Sequence, residues 1–165
     1  MKTYIHIIII ICFLASCYGK EPRLNSGHEG KPIPSLNLML TDSITNINAK
    51  DFSNGKPVVL IDISPYCPFC NAMMKDIIDE NKRLTEIQFI FLSAFPIDDL
   101  KKISNKYQLT KYPNITIGRD YEGYFNKYYN SSGVPCIAIY GKNGLLKQVM
   151  MGKISTNLIK DIAFE

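Results

Sequence analysis

The chain has 165 residues, of which 46% are hydrophobic and 21% charged. That length holds one ordinary domain with a short extension, and the composition excludes a disordered polypeptide. The formal net charge is +4, but the basic residues are scattered (Lys101-Lys102, Lys142, Lys147, Lys153), so they form a solvated surface and give no nucleic-acid footprint.

Met1 and Lys2 make a short positive start, and residues 5–14 form an apolar run broken only by His6. The run is too short for a membrane-spanning helix and has the size of a signal-peptide h-region. It ends in Leu14-Ala15-Ser16-Cys17, which resembles the lipobox of bacterial lipoproteins. That resemblance makes residues 1–17 a lipoprotein signal peptide and Cys17 the lipid attachment site. Ordinary cleavage nearby, leaving a soluble exported protein, is the alternative. Residues 18–34 carry Gly19, Pro22, Ser26, Gly27, Gly30, Pro32 and Pro34 with little apolar periodicity, and predict a flexible tether. His28 falls in this tether and is expected to be solvated rather than a metal ligand. The globular domain is expected over 35–165.

Within it, Leu36, Leu38 and Leu40 alternate with Asn37 and Met39 and predict a short strand, with a return strand over 44–47. The β-branched run V-V-L-I-D-I at 58–63 predicts a buried central strand. Met73, Met74, Ile77 and Ile78 are spaced for a helix over 70–84. Residues 87–95 (I-Q-F-I-F-L-S-A-F) predict a second buried strand. Pro96 opens a helix to about Tyr107, with Asp98 and Asp99 in its first turn where the dipole favours acids. A short strand at 115–117 and an aromatic stretch at 121–129 with near-helical spacing come next; the aromatics are expected to pack on the sheet. A strand over 134–140, a turn at Gly141-Lys142-Asn143-Gly144, a strand over 145–150 and a helix capped by Ser155 complete the domain. Strands alternating with helices predict an α/β fold: a central sheet with helices on both faces.

Of the five cysteines, Cys12 leaves with the signal peptide and Cys17 is assigned to lipid, so Cys67, Cys70 and Cys136 remain. Three thiols do not make a disulfide-stapled scaffold. Two of them form Cys67-Pro68-Phe69-Cys70 at a strand-to-helix junction. Cys67 is expected at the helix N-terminus, where free backbone N–H groups and a positive dipole end favour an anion. Thiol pKa values in such settings fall from about 8.5 to roughly 3.5–7.5. Cys70, one turn later, can attack a mixed disulfide on Cys67 and release the partner. Pro68 suits the first helical turn, having no N–H to leave unpaired. Phe69 offers an apolar rim to a partner polypeptide. A structural zinc or a copper site is the competing reading of the pair, but it needs further ligands. The spare soft groups are Cys136 and His28.

The run Gly30-x-Pro32-x-Pro34, Gly55-Lys56-Pro57-Val58-Val59-Leu60, Cys67-x-x-Cys70, Gly133-Val134-Pro135, Gly144 and Gly152 resembles the thioredoxin-like TlpA/ResA group over residues 30–165. These are exported, membrane-tethered thiol–disulfide oxidoreductases. The resemblance implies a thioredoxin-like fold with a central mixed sheet, catalysis by Cys67 and Cys70, and no cofactor. It further implies a cis Val134-Pro135 bond beside the dithiol, with the Val134 backbone turned to pair with an extended substrate. The partners it implies are disulfides of exported proteins and a membrane thiol electron donor, in the bacterial cell envelope on the periplasmic or outer face. It favours a reductase, although the direction depends on the potential of the pair.

The sequence departs from the group in three places. Tyr66 stands where many relatives carry Trp before the first Cys. The buried acid that thioredoxins often place six residues before the nucleophile is Ile61 here; Asp62 lies one residue later and is expected at an edge or the surface, with assistance to Cys70 as the other reading. Cys136 follows Pro135 where relatives commonly have Thr, and is expected to be a buried inert thiol or else a third redox thiol. Thiol peroxidase chemistry is the enzymatic alternative, although residues 61–66 do not align with the peroxidatic pattern.

Overall fold

A computed structural model describes residues 22–165. The expected signal peptide, the lipobox with Cys17, and residues 18–21 of the expected tether lie outside the described residues.

The core is a sheet whose strands are β1 (Arg23–Leu24), β2 (Asn37–Leu40), β3 (Asn46–Asn48), β4 (Val58–Asp62), β5 (Gln88–Ser93), β6 (Ile115–Arg119), β7 (Cys136–Tyr140) and β8 (Leu146–Met151). Their spatial order is β1-β8-β7-β4-β5-β6-β2-β3. β4, β5 and β6 run parallel, and β7, β8 and β2 antiparallel to their neighbours, so the sheet is mixed. The helices are α1 (Pro68–Asp79), α2 (Asn81–Leu84), α3 (Ile97–Tyr107), α4 (Tyr124–Tyr129) and α5 (Thr156–Phe164), with a 3-10 turn at Ala49–Phe52. Among the described residues no helix is long and apolar enough to cross a membrane.

Alternation along the central strands divides the core into two layers. Val59, Ile61, Phe89 and Phe91 face one way and pack with Met73 and Ile77 of α1, Leu100 and Ile103 of α3, and Ile159 and Ile162 of α5. Val58, Leu60, Ile90 and Leu92 face the other way, against Phe125 and Tyr129 of α4 and Leu36 and Leu38. Phe125 and Tyr129 of the aromatic stretch therefore do pack on the sheet, with Tyr124 and Tyr128 partly buried against the same layer, whereas Tyr121 is exposed. Gly118 of β6 lets β2 approach: a Cβ there would stand 2.9 Å from that of Leu38.

The expected helix over 70–84 is two helices, broken at Glu80 (φ −99, ψ 10). The break serves packing: the Glu80 carboxylate accepts from Arg83 at 3.0 Å and from the Thr156 hydroxyl at 2.9 Å, tying α2 to α5.

The expected tether is corrected from residue 22 onward, because those residues belong to the domain. Arg23 and Leu24 pair with Met150 and Val149 across the edge of the sheet. Gly30 N–H donates to Leu146 O at 2.8 Å, and Leu146 N–H returns a bond to Lys31 O at 2.8 Å. Ile33 is buried in the second layer, and His28 stacks on Tyr128 with ring centroids 4.0 Å apart. Gly27 and Gly30 take φ of +73 and +79, so here glycine marks tight turns of a docked segment rather than slack chain.

Candidate active site

β4, buried on both faces, ends at Asp62, and Ser64-Pro65-Tyr66 turns the chain into α1. The turn is held by Cys67 N–H donating to Ser64 O at 3.1 Å. Cys67 is the N-cap of α1 (φ −86, ψ 114), and its Sγ accepts from the Cys70 N–H at 3.1 Å. One of the helix's unpaired donors is thus spent on sulfur. Pro68 occupies the first turn, as the sequence reading expects. Neither Cys67 nor Cys70 is in a disulfide. Cys67 is half-buried and Cys70 is 2% exposed, so the first thiol meets solvent and the second lies behind it.

The loop before β7 closes over the pair. The Val134–Pro135 bond is cis. The Cys67 thiol points to Val134 O at 3.8 Å, so a backbone acceptor sits beside the half-buried sulfur. Around the dithiol, Tyr66 and Phe69 are 71% and 66% exposed, and Phe95 stands edge-on to Tyr66 with centroids 5.7 Å apart. The Tyr66 hydroxyl donates to Asp99 Oδ2 at 3.2 Å, linking the turn to α3.

Burial pushes the Cys70 thiol up to about 12, reinforced by its hydrogen bond with Cys67 and by the charges of Cys67 and Asp62. Asp62 is not an edge or surface acid: it is 3% exposed, and one of its oxygens, Oδ2, has no partner. Burial pushes it up to about 7, helped by the nearby Asp120 charge, while the Asn126 side chain and the Ile63 backbone pull the other way. Strand alternation does place Asp62 with the second layer, but that layer is itself covered. A residue on the far face of a central strand is as buried as one on the near face.

Cys136 pairs in register with Asp62 across β4 and β7 and lies in the second layer, whereas Cys70 lies in the first. Burial pushes its thiol up to about 12. The sheet thus separates Cys136 from the dithiol, and its position fits the inert reading. Among the described residues no group of three or more His, Cys, Asp or Glu side chains is arranged to hold a metal ion. Asp99 enters from the sequence only as a first-turn acid of a helix, and Asn126 and Asp120 carry no functional signal there. The first depends on α3 docking beside the turn, and the other two on α4 folding over the end of β4; no local pattern reports either.

The model of the Thioredoxin-like domain family matches residues 51–162. No curated protein matches the chain. Solved structures that share the fold include MTB dsbF in its mixed oxidized and reduced forms, with 18% identity, a TM-score of 0.65, and 78% of this chain and 92% of that chain covered. A second is a secreted Mycobacterium tuberculosis disulfide oxidoreductase homologous to E. coli DsbE, with 20% identity, a TM-score of 0.63, and 78% and 94% covered. A third is a thioredoxin-like protein from Porphyromonas gingivalis, with 18% identity, a TM-score of 0.63, and 79% and 88% covered. A mixed sheet with helices on both faces, a cysteine pair at a helix N-terminus beside a cis proline, and a family match spanning most of the domain lead to one assignment: the chain belongs to the thioredoxin-like domain family.

Proposed function

We propose that the protein is a thiol–disulfide oxidoreductase that reduces disulfides of exported proteins through Cys67 and Cys70. The observation that carries this reading is the partly buried Cys67 sulfur accepting the Cys70 N–H at the head of α1, with Cys70 fully buried one turn behind it. The thiolate is the nucleophile of thiol–disulfide exchange, and Cys67 is the less buried of the two sulfurs.

In the forward direction the Cys67 thiolate attacks one sulfur of the client disulfide. That S–S bond breaks, the departing client sulfur leaves as a thiolate and takes up a proton, and a mixed disulfide with Cys67 forms. Cys70 then gives up its proton and attacks the Cys67 sulfur, and the second client thiol leaves. The client has gained two electrons and the chain holds a Cys67–Cys70 disulfide. Cys70 is unfavourable as a thiolate in its buried setting, so this second step needs a base. Asp62 belongs to the second layer but is the last residue of β4, just before the turn into α1, and from that end of the strand its charge reaches Cys70, so it fits that role when ionised. Tyr66, Phe69 and Pro68 form the rim on which the client rests, and the Val134 backbone pairs with its extended chain. A membrane thiol donor restores the dithiol.

The N-terminal pattern supports export and lipid attachment at Cys17, which places the domain on the envelope side of a bacterial membrane. One of the structurally similar proteins is described as secreted.

The test is reduction of insulin disulfides by the full chain in detergent. Cys67→Ala abolishes turnover, and Cys70→Ala accumulates a mixed disulfide that survives gel electrophoresis without reductant. Turnover that survives Cys67→Ala refutes the assignment.

A further inference from the structure

A cleft of about 210 Å³ opens beside the dithiol, lined by Tyr66, Asn71, Asp99, Lys102, Ile103 and Lys106. Two of these residues adjoin Cys67 directly: Tyr66 precedes it, and Asn71 N–H donates to Cys67 O at 3.1 Å. The walls are fixed from both sides. Asn71 Oδ1 accepts from the Tyr107 hydroxyl at 3.3 Å, and Asp99 accepts from Tyr66. Ile103 and the Tyr66 ring give the cleft an apolar portion that continues onto exposed Phe95.

The charges of the cleft do not cancel. α3 carries two acids and three lysines. Asp98 pairs with Lys101 at 3.4 Å, and Asp99 with Lys102 at 2.9 Å. Lys106 is left over: among the described residues it has no acidic partner, and its ammonium rests 4.9 Å from the centre of the Tyr107 ring. The cleft therefore presents one uncompensated cation, with a second ammonium shared with Asp99, on a partly apolar wall next to the nucleophile.

We propose that this cleft selects clients, favouring a disulfide whose cysteine has a Glu or Asp side chain within about three residues along an extended chain. The occupant is acidic because the free charge is Lys106. An extended segment advances about 3.3 Å per residue, so side chains up to three residues from the cysteine held at Cys67 sweep about 10 Å of the surface on which the cleft opens. The inference rests on the dithiol reading above and adds the chemistry of the preferred client. Selection of this kind acts through encounter and orientation, so it weakens with salt.

The test uses the full reduced chain in detergent and disulfide-linked peptide dimers with a Gly/Ala/Ser background and one Glu, Gln or Lys placed at each position from three before to three after the cysteine. Second-order rate constants are read from acid-quenched time points. At one or more positions Glu reacts about 3- to 10-fold faster than Lys, with Gln between, and the ratio shrinks in 0.5 M salt. Lys106→Glu reverses the order at that position. Lys142→Glu, the same charge change on the distant hairpin, keeps it. Rates that agree within a factor of about 1.5 for all three peptides at every position overturn the proposal, as does an unchanged order in Lys106→Glu. Bis(2-hydroxyethyl) disulfide, which is linear and uncharged, distinguishes loss of client selection from loss of dithiol chemistry. A wild-type chain that reduces it without ranking the peptides loses only the client selection. A chain that reduces neither loses the dithiol reading, and the selection with it.

Discussion

Asp62 holds a carboxyl in the dry end of a central strand with one oxygen unpartnered, and the cost falls on its charged form. Its value is raised from the ordinary 3.8 to about 7, so the folded protein binds this proton more tightly than the unfolded chain does. Below about pH 4 both states are protonated and nothing is lost. Between about 4 and 7 the unfolded chain ionises first, and stability falls as pH rises; above 7 the full penalty stands, on the order of 4 kcal/mol at most. Asp62→Asn removes the titration. The variant should match wild type near pH 4 and exceed it by about 2–4 kcal/mol at pH 8, in urea unfolding at both values. If Asp62 also takes the Cys70 proton, the same variant slows client release about 100-fold at neutral pH and accumulates mixed disulfide while Cys67 still attacks at the wild-type rate. A stability gain without that accumulation leaves Asp62 as a burial cost with no part in the chemistry.

At the scale of elements, the readable parts are those whose signal is local. The V-V-L-I-D-I run is β4, the Cys67-Pro68 junction is the head of α1, and Ser155 caps α5, its side chain accepting from Leu158 N–H. The parts that were not readable depend on a distant surface. The strand-to-cysteine spacing around Asp62 suggests exposure, yet α4 closes over that face. Residues 22–34 have the composition of a linker, yet β8 offers a free edge and Leu24 and Ile33 complete the second layer. This gives a direct test. Ile33 is 6% exposed, so Ile33→Ala should cost about 2–4 kcal/mol in urea unfolding with insulin reduction unchanged. A linker residue would cost less than about 0.5 kcal/mol.

For the whole molecule, docking of residues 22–34 changes what lipid attachment at Cys17 would mean. With the sheet beginning at Arg23, only a few residues separate Cys17 from the folded body. Five residues reach at most about 18 Å when fully extended, so the domain would be held close to the bilayer instead of swinging on a long leash. A short reach favours membrane-borne electron donors and clients near the surface over those deep in the compartment. If Cys17 carries the lipid, Cys17→Ala should lose incorporation of labelled palmitate and move the protein from the membrane to the soluble fraction, while insulin reduction in extracts is retained. A single acyl chain binds weakly, and removing an anchor of more than one chain should shift the distribution almost completely. Lengthening the segment between Cys17 and Pro22 by about 20 Gly/Ser residues should leave insulin reduction unchanged but slow re-reduction by a membrane donor, measured as a larger share of oxidised Cys67–Cys70 in intact cells. Palmitate incorporation that persists in Cys17→Ala would exclude Cys17 as the attachment site, and with it the argument from reach.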